Sequence, residues 1–209
     1  MTQERVPSNR VRQNNGNSDI QEPESDVQRE TPMSPIPAGA SAGLGGRAVD
    51  LTARITSAAG DEGVLWATGT ENSGVSVFLQ NGRLVVDYNS FDNHTIVEST
   101  IEVPPGDSSL GVHFERDSRT SGWVEVAIDG QACGRAPIPS YMRIISSVGA
   151  SVGEDYGSAV SNRYSAPFAF TGTLHEVVIQ RLQRNSGTEG GGSVASETAA
   201  TARAEMSRQ

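Results

Sequence analysis

Between about residue 47 and residue 182, apolar and polar residues alternate in short runs. Turn-forming residues separate the runs at regular spacing. Strand side chains point alternately to two faces, so this period predicts half-buried strands. Many short strands in series predict a sandwich or barrel. The candidate strands are VDLTARI, GVLWATG, VSVFLQ, RLVVDYN, HTIVESTIEV, SLGVHFE, WVEVAID, QACGRAP, RIISSVGA and TGTLHEVVIQ. No window of this region carries a convincing helical period.

Two turns fix registers. Asn81-Gly82 is the strongest short hairpin signal, because both central positions of a type I′ turn need positive φ. A two-residue loop there pairs Gln80 with Arg83, Leu79 with Leu84, Val77 with Val86 and Val75 with Tyr88. The last three pairs share one face, expected to be buried. Ser76 with Asp87 and Phe78 with Val85 fall on the other, expected to be mostly wet. Asp129-Gly130 predicts a second hairpin, with Val124, Val126 and Ile128 facing inward. It sets Cys133 opposite Val126, which makes this cysteine a small buried hydrophobe rather than a reactive thiol.

The flanks differ. Residues 1–46 mix Pro, Ser, Gly, Asn and Glu with almost no large apolar residues, and 183–209 begin with a Gly-rich stretch. Such segments bury too little surface to offset the entropy of ordering. The expected organisation is a disordered N-terminal segment (1–46), a β-sandwich (47–182) and a flexible tail (183–209).

Net charge is −9 and the pI about 4.8, a balance that repels the phosphate backbone and argues against nucleic acid as partner. All 16 basic residues are Arg. A single cysteine makes neither an internal disulfide nor a thiolate-rich zinc site. No run approaches the roughly 20 apolar residues of a spanning helix, so no membrane is expected. The start, MTQERVPSNR, has no apolar leader core, which makes the cytoplasm the expected location. On that expectation the sequon Asn93-His94-Thr95 is a coincidence.

Candidate chemistry is sparse. His94, His113 and His175 lie far apart without metal-ligand spacing. His175 alternates with Val177 and Ile179, which predicts a partly buried imidazole. Glycosidases on sandwiches need paired carboxylates at a set separation. Adjacent Glu154 and Asp155 would point to opposite faces of a strand. Glu98 and Glu102 sit on a predicted edge strand, and Glu125 on an outer face. Trp66, Trp123, Tyr156 and Tyr164 are the aromatic candidates for a sugar platform, with core packing as the plainer alternative.

One stretch is densest in unusual residues: GEDYGSAVSNRYSAPFAFTG, residues 153–172. Gly153 and Gly157 suit tight turns. Phe168 and Phe170 suit tucking a long connection against the sheet. Glu154, Asp155, Tyr156, Ser158 and Tyr164 are the candidate ligand or partner contacts. The competing reading is that the loop's polar residues only fix its own backbone.

This loop, with EGVLWATGTENSGVSVFLQNGRLVVDYNSFD (62–92) and VEVAIDGQ (124–131), resembles the C-terminal region of large bacterial arylsulfatases. That family's pattern has an E-G-V-L strand, a strand ending in D-G-R-L, and a loop V-G-E-D-x-G-S-P-V-S-x-x-Y before F-x-G-T. The chain departs at Ala159 and Ala169, where the family often has proline. The resemblance implies an all-β antiparallel jelly-roll sandwich, concanavalin A-like or laminin G-like. The Cys-x-Pro-x-Arg motif of the catalytic half is not met: CGRAP (133–137) has Arg135 in the proline place and Pro137 in the arginine place. No Asp-Asp pair precedes it. The expectation is a non-catalytic module for interaction or ligand binding, with no catalytic residue, metal ligand or cofactor assigned; calcium has no support in the sequence. The alternatives are an accessory subunit or remnant of a split arylsulfatase, with a separately encoded sulfatase domain as partner, or a free-standing lectin with a glycan partner.

Overall fold

The computed structural model describes residues 27–30, 44–45, 48–143, 145 and 148–182. All regular structure among them is strand: β1 (Val27–Glu30), β2 (Ala48–Ser57), β3 (Gly63–Thr70), β4 (Ser73–Gln80), β5 (Arg83–Ser90), β6 (Asn93–Glu98), β7 (Gly106–Arg116), β8 (Gly122–Ile128), β9 (Gln131–Ile138), β10 (Ala150–Val152) and β11 (Thr173–Leu182). They form a six-stranded sheet, β1-β11-β2-β7-β8-β9, and a five-stranded sheet, β10-β3-β4-β5-β6. Each pair of neighbouring strands within a sheet is antiparallel. The chain thus forms the expected all-β sandwich.

The period-two pattern explains the core. Val49, Leu51, Ala53 and Ile55 of β2 turn inward, as do Leu110, Val112 and Phe114 of β7 and Val124, Val126 and Ile128 of β8. They meet Val75, Val77, Leu79, Leu84, Val86 and Tyr88 from the facing β4–β5 hairpin. Each Val, Leu, Ile or Phe among them contributes about 1.5–3 kcal/mol by leaving water. Trp66 is fully buried among them, so it is core and no platform.

The β4–β5 register is the one that Asn81-Gly82 predicts, from Gln80↔Arg83 to Val75↔Tyr88. Asn81 has φ 52° and Gly82 φ 72°, as the turn requires. The second face is not wet, however. Ser76, Phe78, Val85 and Asp87 are all fully buried, because residues 153–172 lie over them.

Three further expectations are corrected. The β8–β9 pair has a bulge after Val126, which brings Gly134 opposite it and moves Cys133 out of register. A Cβ at Gly134 would lie 2.8 Å from Glu98 O and Val126 Cγ2, so glycine lets β6 and β9 close up. Cys133 is nonetheless buried, and burial pushes its thiol pKa up. A second bulge, between Leu174 and Glu176, turns His175 outward: it is exposed and meets Thr56 Oγ1 at 2.7 Å. Among the described residues of RIISSVGA only the last, Ala150, lies in a strand, β10.

HTIVESTIEV also ends early, at Glu98. Beyond it, Ser99 N and Val103 N bond Leu84 O and Gly82 O. Within 1–46, expected to be disordered, β1 pairs with β11 and Leu44 joins the core. The tail 183–209 lies outside the described residues.

Candidate functional site

The loop 153–172 is held to the outer face of β3–β5 by its backbone first. Val64 N donates to Phe168 O at 2.9 Å, Gly153 N to Leu65 O at 3.1 Å and Thr171 N to Glu62 O at 2.9 Å. Within the loop, Asp155 N bonds Pro167 O at 2.7 Å and Phe170 N bonds Gly153 O at 2.8 Å. Gly153 and Gly157 take φ of 84° and 103°. Phe168 and Tyr164 pack on Val64, Ala67, Phe78 and Val85 as a second, smaller core. Phe78 meets both rings edge-on, and the Tyr164 and Phe168 rings stack at 5.0 Å.

Two buried carboxylates lie beneath this cover. Asp155, 1% exposed, accepts from Tyr164 OH at 2.5 Å and Val160 N at 2.9 Å. With its O–H directed at Asp155, the Tyr164 oxygen accepts a hydrogen bond from Ser76 Oγ at 2.7 Å. Burial raises the Asp155 pKa, and its two donors only partly offset that. Burial, then the neighbouring Asp155, holds the Tyr164 phenol far above its usual value. Asp87 accepts from Ser161 Oγ at 2.6 Å and faces His94 Nδ1 at 2.9 Å from both oxygens. Its pKa is raised by burial, against the pull of Ser161, His94 and Arg163.

This order of groups decides the chemistry. A serine becomes a nucleophile when a histidine takes its proton and a carboxylate orients that histidine. Here the carboxylate stands between Ser161 and His94, so Ser161 donates to Asp87. The arrangement clamps the loop to β5 and β6. Arg163 extends the clamp, bonding Gln80 Oε1 at 3.0 Å and Glu98 Oε2 at 2.9 Å.

The five residues predicted for the site therefore separate. Asp155 and Tyr164 come together, but closed in. Ser158 Oγ accepts from Glu71 N at 3.3 Å and so ties the loop to the β3–β4 turn. Glu154 is half-buried. Tyr156 is 61% exposed. Sequence reasoning missed Ser76, Asp87, His94 and Ser161. The signal was present in the hairpin register, which sets two polar residues, Ser76 and Asp87, opposite each other in an apolar sheet.

An open surface lies at one end of the sandwich. Asn89 Nδ2 donates to Glu71 O at 2.7 Å and Val160 O at 3.3 Å, while its Oδ1 accepts from Asp92 N at 2.9 Å. One buried amide thus joins the β3–β4 turn, the β5–β6 turn and the loop. Phe91, at the tip of the β5–β6 turn, is 70% exposed with φ 52°. A cavity of about 260 Å³ opens beside it, lined by Asp92, Asn93, His94 and Ser140 among others. Trp123 lies elsewhere, on the outer face of the six-stranded sheet, with Arg135 over its ring at 3.6 Å. Glu125 there lies 3.9 Å from Arg135. Among the described residues no group of three or more His, Cys, Asp or Glu is placed to hold a metal ion.

No protein-family model matches the chain, and no curated protein matches it either. Solved structures do. Domains LG4-5 of the mouse laminin alpha1 chain align at 15% identity and a TM-score of 0.44, covering 64% of this chain and 35% of theirs. The NanB sialidase from Streptococcus pneumoniae aligns at 12% and 0.49, covering 68% and 23%. The LG1-3 region of the laminin alpha2 chain aligns at 14% and 0.48, covering 80% and 33%. The chain thus spans about a quarter to a third of the length of these structures.

Proposed function

We propose that the chain is a β-sandwich binding module without catalysis of its own. One observation carries this reading. The acid and phenol of the long loop, Asp155 and Tyr164, are bonded to each other and covered, while Phe91 and Tyr156 stand in water. Groups used for turnover must reach a substrate, and closed-in groups do not. Exposed aromatics beside polar side chains are what a binding surface offers.

In its finer form, the proposal is a module of the arylsulfatase C-terminal type. Its support is the loop VGEDYGSAVSNRY followed by FTGT. Without Cys-x-Pro-x-Arg it would need a separately encoded sulfatase domain, as accessory subunit or as the remnant of a split enzyme. The chain alone is then inert toward a chromogenic aryl sulfate. Turnover lost in Cys133→Ala would overturn the proposal.

A second reading, a free-standing lectin, is favoured by two exposed aromatics, Tyr156 on the loop and Phe91 on the β5–β6 turn, and by the cavity next to that turn. A glycan array with and without calcium tests it. Binding that falls in Tyr156→Ala and Phe91→Ala supports it, and silence under both conditions ends it.

A further inference from the structure

Burying a carboxylate costs its hydration unless donors face it. Asp87, fully buried on β5, meets that need with Ser161 Oγ from the loop and His94 Nδ1 from β6. An ionised carboxylate only accepts, so the hydrogen of the neutral His94 ring belongs on Nδ1, and Nε2 keeps a lone pair. The bond made by one ring nitrogen sets the role of the other. The buried acid thus fixes both the orientation and the tautomer of the imidazole.

The far side of the ring is the open one. His94 Nε2 lies 3.8 Å from Asp92 Oδ1, too far for a hydrogen bond between them. The Asp92 side chain is 98% exposed. Both residues line the cavity of about 260 Å³ between the β5–β6 turn and the end of β9. Asp92 is held through its backbone: its N–H donates to Oδ1 of the buried Asn89 at 2.9 Å. Two acceptors therefore stand side by side on a fixed frame. Thr95 and Ser140 add hydroxyls to the lining, and Pro139 adds an apolar wall.

Two neighbouring acceptors match two neighbouring donors, which adjacent hydroxyls of a sugar ring supply. Charge selects among sugars. Asp87 and Asp92 bring two carboxylates, and among the described residues that line the cavity His94 is the one basic group. Arg163 also acts on Asp87, but it is paired with Glu98. An acidic sugar is therefore repelled. The cavity is smaller than the roughly 300–1,000 Å³ of sites for drug-sized ligands, so it takes a single ring.

We propose that this cavity binds the terminal ring of a neutral glycan, two adjacent ring hydroxyls donating to His94 Nε2 and Asp92 Oδ1. The inference rests on the lectin reading and gives it a site and a sugar class.

The test titrates the 15N-labelled full chain with glucose, galactose, mannose and glucuronic acid, as wild type, Asp92→Asn and His94→Gln. In the wild type a neutral sugar should move the His94 Nε2 resonance and the Asn93 and Thr95 amides. Glucuronic acid should bind at least about fivefold more weakly than glucose, the factor for one like-charge contact at about 4 Å in water. His94→Gln should abolish the shifts. Asp92→Asn keeps a residue type that tolerates the left-handed turn. It should weaken the neutral sugar and remove the preference against the acid, which a residue that only shaped the turn would not do. A preference that survives in Asp92→Asn overturns the proposal, as does glucuronic acid binding the wild type as well as glucose. A neutral sugar that moves other resonances instead, such as those of Tyr156, overturns this site and leaves the lectin reading standing. No shift with any of the four sugars overturns both.

Discussion

Tyr164 and Asp155 lie nine residues apart in the loop and share one proton donor–acceptor contact of 2.5 Å over the buried outer face of β4. The carboxylate has almost no contact with water, so its stability rests on the donors that face it. In Tyr164→Phe the ring stays and the donor is lost. The expected destabilisation is about 1–3 kcal/mol, the range for a buried group deprived of a partner. Ser76→Ala, which leaves the Asp155 contact in place, should lose less. Urea denaturation of the two variants checks the order, and equal losses would show that the Asp155 bond has no special weight.

Asp87 and Asp155 also set a pH dependence. Burial, the largest cause, raises both pKa values above the ordinary carboxyl range. Between the unfolded and folded values the native state then binds more protons than the unfolded chain, so stability falls as pH rises through that window. The contribution is full below about pH 4, the unfolded value, and fades above it. Asp61, whose pKa is lowered by its bonds to Ala58 N and Thr171, works the other way but cancels between proteins that both carry it. Wild type should therefore gain denaturant resistance, relative to Asp87→Asn/Asp155→Asn, as pH drops from 7 toward 4. Parallel pH profiles would refute the assignment.

Phe91 holds a left-handed φ at a hairpin tip with 70% of its surface in water. Asp92 follows at φ 66°, so the turn has the backbone of type I′, where Asn and Gly are preferred. A bulky residue there gives up roughly 1 kcal/mol. Phe91→Asn should raise the thermal midpoint and, under the lectin reading, weaken glycan binding at the same time. A lower midpoint would mean that the exposed ring contributes packing that its exposure conceals.

The sequence shows its local signals more clearly than its long-range ones. Asn81-Gly82 fixes the β4–β5 register because a turn is a property of adjacent residues. The burial of Ser76 and Asp87 is invisible in that hairpin, since the cover comes from Tyr164 and Phe168, far along the chain. The bulges at Cys133 and His175 also defeat period-two counting: each adds one residue with no partner on the neighbouring strand. Asp155 and Tyr164 can be picked out of the loop, but their closure cannot. Its glycines, acids and aromatics mark the loop as unusual, but the small core beneath it appears only in the structure.

Gly63 is where that packing is tightest. Its φ is 128°, and a Cβ would lie 2.4 Å from Ala169 O and Phe170 Cα, both main-chain atoms of the loop. Backbone does not yield as a flexible side chain does, so Gly63→Ala should lift the loop off β3 and destabilise by more than about 2 kcal/mol. Gly157→Ala is the matched control. Its φ of 103° carries similar backbone strain, but nothing stands within 4 Å of the added methyl. Hydrogen exchange separates the two effects: the Val64 and Phe170 amides, which bond Phe168 O and Gly153 O, should exchange faster in Gly63→Ala than in Gly157→Ala. If both variants lose the same stability and protection, strain alone explains Gly63. The close approach of the loop would then contribute nothing to its hold on the sheet.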